Sequence, residues 1–184
     1  MENREGKLKL LVMTGLFAAL ITLFTAYICH IPVGLNGGYI HFGDGLIYIA
    51  ASLLPQPYAL FAAAIGGSLA DILTAPMWAP ATFLIKALMT LPFTAKAPML
   101  LTRRNKLAPF ISWLIDLLGY FLAEQLLFGT QTAVISSLLG NSIQSLGSLL
   151  LYFLLAGLLD KQNFKERLCI SGGLNHHGTN SLYL

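Results

Sequence analysis

Long apolar runs separated by short stretches rich in Gly and Pro dominate this chain. The first run, residues 8–29, is about 20 residues long, which matches a bilayer core when it is helical. Pro32 and four glycines in residues 31–43 then break the pattern. We interpret the run as a first transmembrane helix rather than a secretory signal peptide, whose apolar region is shorter and is followed by small residues.

Five further apolar runs follow the first one. They predict helices over residues 44–54, 58–75, 79–101, 107–128 and 132–159. The second helix is the weakest prediction, because about 11 helical residues cover only roughly 17 Å of an about 30 Å core. Either this helix begins earlier, near Tyr39, or it forms a hairpin with the next helix that stops short of the far surface.

The composition indicates which class of protein this pattern belongs to. Hydrophobic residues make up 56% of the chain and charged residues only 10%, whereas an ordinary soluble domain has roughly 25% charged residues. The predicted fold is therefore an all-α integral membrane protein with six transmembrane helices. No polar linker or internal repeat divides it, so we expect one domain over residues 1–170 and a disordered C-terminal tail over residues 171–184.

Basic residues indicate the orientation. Lys and Arg are absent from the predicted loops 31–43, 76–80 and 129–131, and with six helices all three basic clusters fall on the other side. That side is the cytoplasm by the positive-inside rule, so both termini are expected to be cytoplasmic. The small net charge of +3 is local and does not indicate nucleic acid. The clusters are Arg4, Lys7 and Lys9; Arg103, Arg104 and Lys106; and Lys161, Lys165 and Arg167.

Polar side chains inside the apolar helices are the main functional signal. A charged residue in hydrocarbon costs at least about 2.5 kcal/mol on insertion scales, so it usually faces a cavity or another polar group. In the predicted topology five segments direct polar groups to the outer leaflet. The aromatic members of this set would stack on a flat ring. The candidate substrate-binding residues are Tyr39, His41, Asp44, Asp71, Trp78, Lys86, Tyr120, Glu124, Asn141 and Gln144.

Several of these residues also have a purely structural interpretation. Asp44 is placed to cap the second helix, and Asp71 and Lys86 to form a packing ion pair. Glu124 is close enough to the interface to reach lipid headgroups. Trp78 falls in a predicted exposed loop, where an aromatic residue is expected anyway. Asn141 and Gln144 are typical of polar contacts that hold helices together.

Asp116 and the remaining motifs complete the picture. Asp116 precedes Glu124 by eight residues, close to the same helical face, and suggests a second polar layer. Cys29 and Cys169 fall on opposite sides of the membrane, so they cannot pair within a chain, and neither has other metal ligands nearby in the sequence. The adjacent His176 and His177 could bind a metal weakly, but a disordered tail is the favoured interpretation, so no metal site is predicted. Motifs for metalloprotease chemistry are absent from the sequence, which disfavours the alternative of an intramembrane enzyme.

Three segments resemble the membrane-embedded S components of energy-coupling factor (ECF) vitamin transporters. The likeness covers roughly residues 8–160 and is greatest to the subgroup of hydroxymethylpyrimidine and riboflavin-type S components. It is carried by Gly38-Tyr39-Ile40-His41-Phe42-Gly43-Asp44, by Gly66-Gly67-Ser68-Leu69-Ala70-Asp71 and by Ala79-Pro80-Ala81-Thr82-Phe83-Leu84-Ile85-Lys86.

The resemblance implies a substrate-binding subunit with six helices in the cytoplasmic membrane of a prokaryote. It implies a lid over an outward-facing pocket, formed by the loop after helix one. The partners would be a transmembrane T component and two cytoplasmic ATPases. The chain has no phosphate-binding loop, so ATP would be hydrolysed by the partners, and no cofactor is expected here. The family's small-residue contact with the T component corresponds to Gly15 and Ala19, with Ala18, Thr22 and Ala26 as a neighbouring stripe.

Charge orders the candidate substrates. Three carboxylates in the predicted pocket face one Lys and one His, a poor host for an anion such as pantothenate. A flat, neutral or weakly basic ring that donates N–H bonds fits better. Together with the resemblance, this places hydroxymethylpyrimidine first and pyridoxine second, with riboflavin or thiamine behind them.

The three basic clusters give a topology that can be tested with single cysteines in a background without Cys29 and Cys169. In intact cells an impermeant maleimide should label a cysteine within residues 76–80 and miss one within residues 103–106, because only the first loop is expected outside. Labelling of both sites after permeabilisation is the control. The reverse pattern in intact cells would contradict the orientation.

Overall fold

Helices carry most of this chain in a computed structural model that describes residues 2–28, 30–32, 39–129 and 133–168. A π-helical segment, Phe24–Ile28, continues α1, and a short 3₁₀ helix, Pro76–Trp78, leads from α3 into α4. The predicted tail lies outside the described residues, as do Cys29, Cys169, His176 and His177. The helices are α1 (Glu2–Leu23), α2 (Asp44–Leu53), α3 (Tyr58–Thr74), α4 (Ala79–Leu88), α5 (Arg103–Phe128), α6 (Ala133–Lys161) and α7 (Phe164–Arg167).

The connection between α1 and α2 contains two short strands. β1 (Ile31–Pro32) pairs antiparallel with β2 (Tyr39–Ile40), and Pro32 lies opposite Tyr39. Residues 33–38 of the predicted lid lie outside the described residues. The described part of this connection brings Tyr39 and His41 back to the start of α2.

Three helices are long and apolar enough to cross a bilayer by length and composition, namely Arg4–Ile28, Arg103–Phe128 and Gly140–Lys161. Six spanning helices therefore stay a prediction beyond these three. α2 has 10 residues, begins at Asp44 rather than near Tyr39, and is buried at every position. A helix that is buried on every side belongs in the middle of a bundle.

The predicted fourth helix is wrong beyond Leu88, where α4 ends after 10 residues. The following residues, 89–102, are irregular although they are largely apolar. Pro92 and Pro98 oppose a helix here because proline lacks the amide hydrogen and clashes with the preceding turn. α5 then begins at Arg103, earlier than predicted, and the Thr102 hydroxyl caps it by accepting a hydrogen bond from the Asn105 amide at 3.1 Å.

Side chains from neighbouring elements satisfy the backbone of residues 89–102. The Asn105 amide group donates to the carbonyls of Thr94 and Leu100 at 2.8 Å each. The Asp160 carboxylate accepts hydrogen bonds from the amides of Leu100 and Leu101. These side chains thus replace the hydrogen bonds that a helix would have provided for the backbone.

Helix α1 packs on α3 through small residues. A Cβ added at Gly66 would lie 2.8 Å from the Ala18 carbonyl oxygen, and the Thr22 hydroxyl donates to the Gly66 carbonyl at 2.9 Å. The Ala18 and Thr22 stripe is therefore occupied within the chain. Gly15 has open space around its Cβ position, and Ala19 is exposed.

A buried lysine on α7 contacts the C-terminal end of α2, whereas Asp44 lies at the N-terminal end of that helix. Lys165 Nζ donates to the Ser52 carbonyl at 3.0 Å and to the Ala95 carbonyl at 2.7 Å. Burial lowers the pKa of Lys165 to about 8. The neutral amine still has two N–H donors for the two carbonyls, so the contact survives deprotonation.

Candidate functional site

Lys86 forms two buried ion pairs. Its Nζ lies 2.8 Å from Asp44 Oδ1 and 2.8 Å from Asp116 Oδ1, and the exposed fraction of all three side chains is 1% or less. Gln144 donates from Nε2 to Asp44 Oδ2 at 2.8 Å. We call these four residues the charge network. It joins α2, α4, α5 and α6, and pairing of this kind is what makes charges tolerable in a low-dielectric interior.

The structure gives Asp44, Asp71 and Lys86 different partners from those the sequence suggested. Gly43 is the N-cap of α2 and the cap has no side-chain hydrogen bond, so Asp44 is free for Lys86 and Gln144. The suggested ion pair between Asp71 and Lys86 is absent among the described contacts, where Lys86 pairs with Asp44 and Asp116 instead.

A glycine lets Lys86 lie against α3. A Cβ added at Gly67 would lie 2.9 Å from Lys86 Cγ. The close approach of α3 to the lysine stem thus depends on glycine at this position.

Asp71 connects α3 to the strand pair. The Tyr39 hydroxyl donates to Asp71 Oδ1. Asp71 is only 4% exposed, and its Oδ2 has no hydrogen-bond partner among the described residues. The ring of Tyr39 stacks on His30 with 4.0 Å between centroids. A carboxylate oxygen is thus buried beside aromatic rings without a donor of its own.

Aromatic side chains form a second layer next to the charge network. Trp78 contacts Tyr120 edge-on at 6.0 Å and Phe128 at 5.8 Å between centroids. The Tyr120 hydroxyl shares a 2.8 Å hydrogen bond with Thr82, and Lys86 Nζ lies 5.2 Å from the Tyr120 ring centroid. Trp78 is buried in the 3₁₀ helix, so its assignment to an exposed loop is wrong.

His41 is a neutral group at the entry to α2. Burial lowers its pKa to about 4, so the ring is uncharged near neutral pH. Its Nδ1 accepts a hydrogen bond from the Gly43 amide at 3.1 Å, which places the ring proton on Nε2. His41 therefore adds a hydrogen-bond donor near Tyr39, whose ring centroid is 5.5 Å away, but no positive charge.

Glu124 and Asn141 are the two remaining candidate residues. Each lies on the same helix as a member of the charge network. Glu124 is buried on α5, one turn after Tyr120. Asn141 lies one turn before Gln144 on α6, and its Nδ2 has no hydrogen-bond partner in the described part of the chain. Polar side chains at these positions are compatible with binding a polar ligand and with polar contacts between helices.

The sequence analysis placed Asp116 in a second polar layer, but neither Asp116 nor Thr82 was among the candidate substrate-binding residues. The available signal was spacing, because Asp116 precedes Tyr120 by four residues and Thr82 precedes Lys86 by four. Residues four apart share a helical face, so Asp116 lies one turn before Tyr120 and Thr82 lies one turn before Lys86. No cluster of three or more potential metal ligands occurs among the residues that the structure describes.

Comparison with known proteins adds a family. A family model described as "ECF-type riboflavin transporter, S component" matches residues 6–161. The chain is also similar to an uncharacterized protein in a gap 3'region of Pyrococcus woesei, with 37% identity over 62 residues. That match covers 34% of this chain and 42% of the relative, so the chain spans less than half the length of that relative.

The charge network predicts an asymmetric response to neutralisation. Lys86→Met should destabilise the protein by about 3–5 kcal/mol, because it leaves Asp44 and Asp116 buried without their cation. The triple variant Asp44→Asn, Lys86→Met, Asp116→Asn should recover much of that loss, since no uncompensated charge remains. Thermal unfolding in detergent measures both. A single variant as stable as the wild type would contradict the electrostatic role.

Proposed function

Because the chain belongs to the family of ECF-type riboflavin transporter S components, we propose that it binds a small water-soluble vitamin or vitamin precursor for an ECF importer. The structural observation that supports this best is the concentration of buried polar groups beside an aromatic layer. Such a combination is typical of small-molecule sites, which pair apolar walls with a few precisely placed polar groups.

Hydroxymethylpyrimidine is the substrate we favour, followed by pyridoxine, with riboflavin and thiamine as further alternatives. Asp44, Asp71 and Asp116 are buried together with Lys86, while His41 is neutral. The resulting excess of negative charge disfavours pantothenate, whose carboxylate would meet like charges in a low dielectric. A ring with N–H donors would be stabilised by the same groups. Nothing in the described part of the chain favours an intramembrane enzyme.

The importer requires partners, which we propose to be a transmembrane T component and two cytoplasmic ATPases in a prokaryotic cell membrane. ATP hydrolysis then belongs to the ATPases, and this chain needs no cofactor. Gly15 and Ala19 are the contact we favour for the T component. Ala18 and Thr22 are already packed on α3, whereas Gly15 and Ala19 lie one turn apart on the open face of α1.

Ligand-dependent unfolding of the purified protein tests the substrate. Hydroxymethylpyrimidine should raise the unfolding temperature more than equal concentrations of pyridoxine, riboflavin or thiamine, and pantothenate should have no effect. At 100 times the dissociation constant, binding stabilises the folded state by about 2.7 kcal/mol. Mass spectrometry of the compound that co-purifies from rich medium provides an independent identification. Stabilisation by pantothenate alone would contradict the charge argument.

Assembly tests the partner contact. Gly15→Leu or Ala19→Leu should abolish co-purification with the T component and uptake, because a bulky side chain blocks close helix approach. Binding of substrate by the isolated subunit should be unchanged, since neither residue lies near the site. Gly15→Ala is the matched control and should still assemble. Normal assembly of the leucine variants would show that the T component binds elsewhere.

A further inference from the structure

The buried carboxylate oxygens near the site differ in what already binds them. Asp44 uses Oδ1 for Lys86 and Oδ2 for Gln144. Asp116 leaves Oδ2 without a hydrogen bond among the described residues, but its Oδ1 lies 2.8 Å from the ammonium group of Lys86. Asp71 leaves Oδ2 free and has no cation within 4.0 Å in the described part of the chain. Of these three carboxylates, Asp71 is the one that combines an unbonded oxygen with the absence of a nearby cation among the described residues.

Burial makes the unbonded oxygen costly. Asp71 is 4% exposed, and an ionised carboxylate loses its hydration at such a position unless donors replace the water. The Tyr39 hydroxyl supplies one donor to Oδ1 and also fixes the orientation of the carboxylate. The second oxygen has no hydrogen bond from the described residues, so it is able to accept one from a ligand.

The surroundings of Asp71 suggest what shape that donor has. Trp78 forms one apolar cluster with Ala75 and Ala123, and Tyr39 and Tyr120 pack against it. The amide of Ala75 donates to the carbonyl of Asp71 at 2.7 Å, so this cluster begins one turn after the carboxylate. An acceptor at the edge of aromatic rings suits a flat ring that carries an N–H group on its own edge.

Resting on the proposed function, we infer that Asp71 Oδ2 is the specificity-determining acceptor for an amino group on a bound heteroaromatic ring. Tyr39 is then a positioning residue, since it holds Asp71 Oδ1 and touches the ligand only through that carboxylate. An ionised carboxylate offers no donor, so a ring with a carbonyl at the same position would place two acceptors together. Asp71 thereby rejects oxo analogues of the substrate by leaving a buried acceptor unpaired.

A pair of pyrimidines tests this inference. The probes are 4-amino-5-hydroxymethyl-2-methylpyrimidine and its 4-oxo analogue, and their dissociation constants are measured by calorimetry with the intact purified protein. The wild type should bind the amino compound at least about tenfold more tightly, because a hydrogen bond to a charged group is worth that much. Asp71→Asn should lose at least about tenfold for the amino compound and remove the discrimination, since an amide donates to the oxo group.

Asp116→Asn is the matched control, because it makes the same chemical change in another buried carboxylate of the bundle. It should keep the ratio of the two dissociation constants even if both change. If Asp71→Asn does not fold, Asp71→Glu takes its place and should retain the preference for the amino compound at lower affinity.

The outcomes distinguish failure of the role of Asp71 from failure of the proposed substrate. Wild-type binding of both pyrimidines without discrimination, or an unchanged ratio in Asp71→Asn, overturns the role of Asp71 while the proposed function stands. Loss of discrimination in Asp116→Asn but not in Asp71→Asn also overturns it. Binding of neither pyrimidine to the wild type overturns the proposed substrate and the inference with it.

Discussion

The ammonium group of Lys86 is the point on which the bundle depends. It pairs with carboxylates from α2 and α5 in a region where an unpaired charge costs several kcal/mol, so these helices are held in register by electrostatics. Glycines complete the constraint. A Cβ at Gly67 would lie 2.9 Å from the Lys86 stem, and one at Gly119 would lie 2.7 Å from Ile85 Cγ1. The ten residues of α4 are therefore fixed between α3 and α5 by charge and close packing rather than by length.

The aromatic layer takes its position from the same frame. Tyr120 lies below the Lys86 ammonium group, shares a hydrogen bond with Thr82, and contacts Trp78 with its ring edge. Carboxylates in this region accordingly have two roles. Asp44 and Asp116 share the ammonium group of Lys86 and set geometry, whereas Asp71 keeps an oxygen that no described residue binds. An oxygen of the second kind contributes to specificity, because a ring without a matching donor leaves it buried and unpaired.

The sequence was informative about which residues matter and less so about how they pair. Charges within apolar runs identify Asp44, Asp71 and Lys86, since the cost of burial makes each of them exceptional. Their partners depend on how the helices are rotated and crossed, which spacing along one helix does not encode. The predicted length of the fourth helix was wrong for a related reason. Apolar composition favours a helix after Leu88, but the side chains of Asn105 and Asp160 satisfy an irregular backbone there.

Helix α1 carries the proposed contact with the T component and also leads towards the proposed substrate site. Its inner stripe packs on Gly66 of α3, while Gly15 and Ala19 are small exposed residues that would permit close approach of another helix. The helix continues as a π-helical segment, a form that is frequent at functional sites, and then leads into the strands that carry Tyr39. Tyr39 in turn holds Asp71. Helix α1 and the residue that orients Asp71 are thus joined through the paired strands β1 and β2.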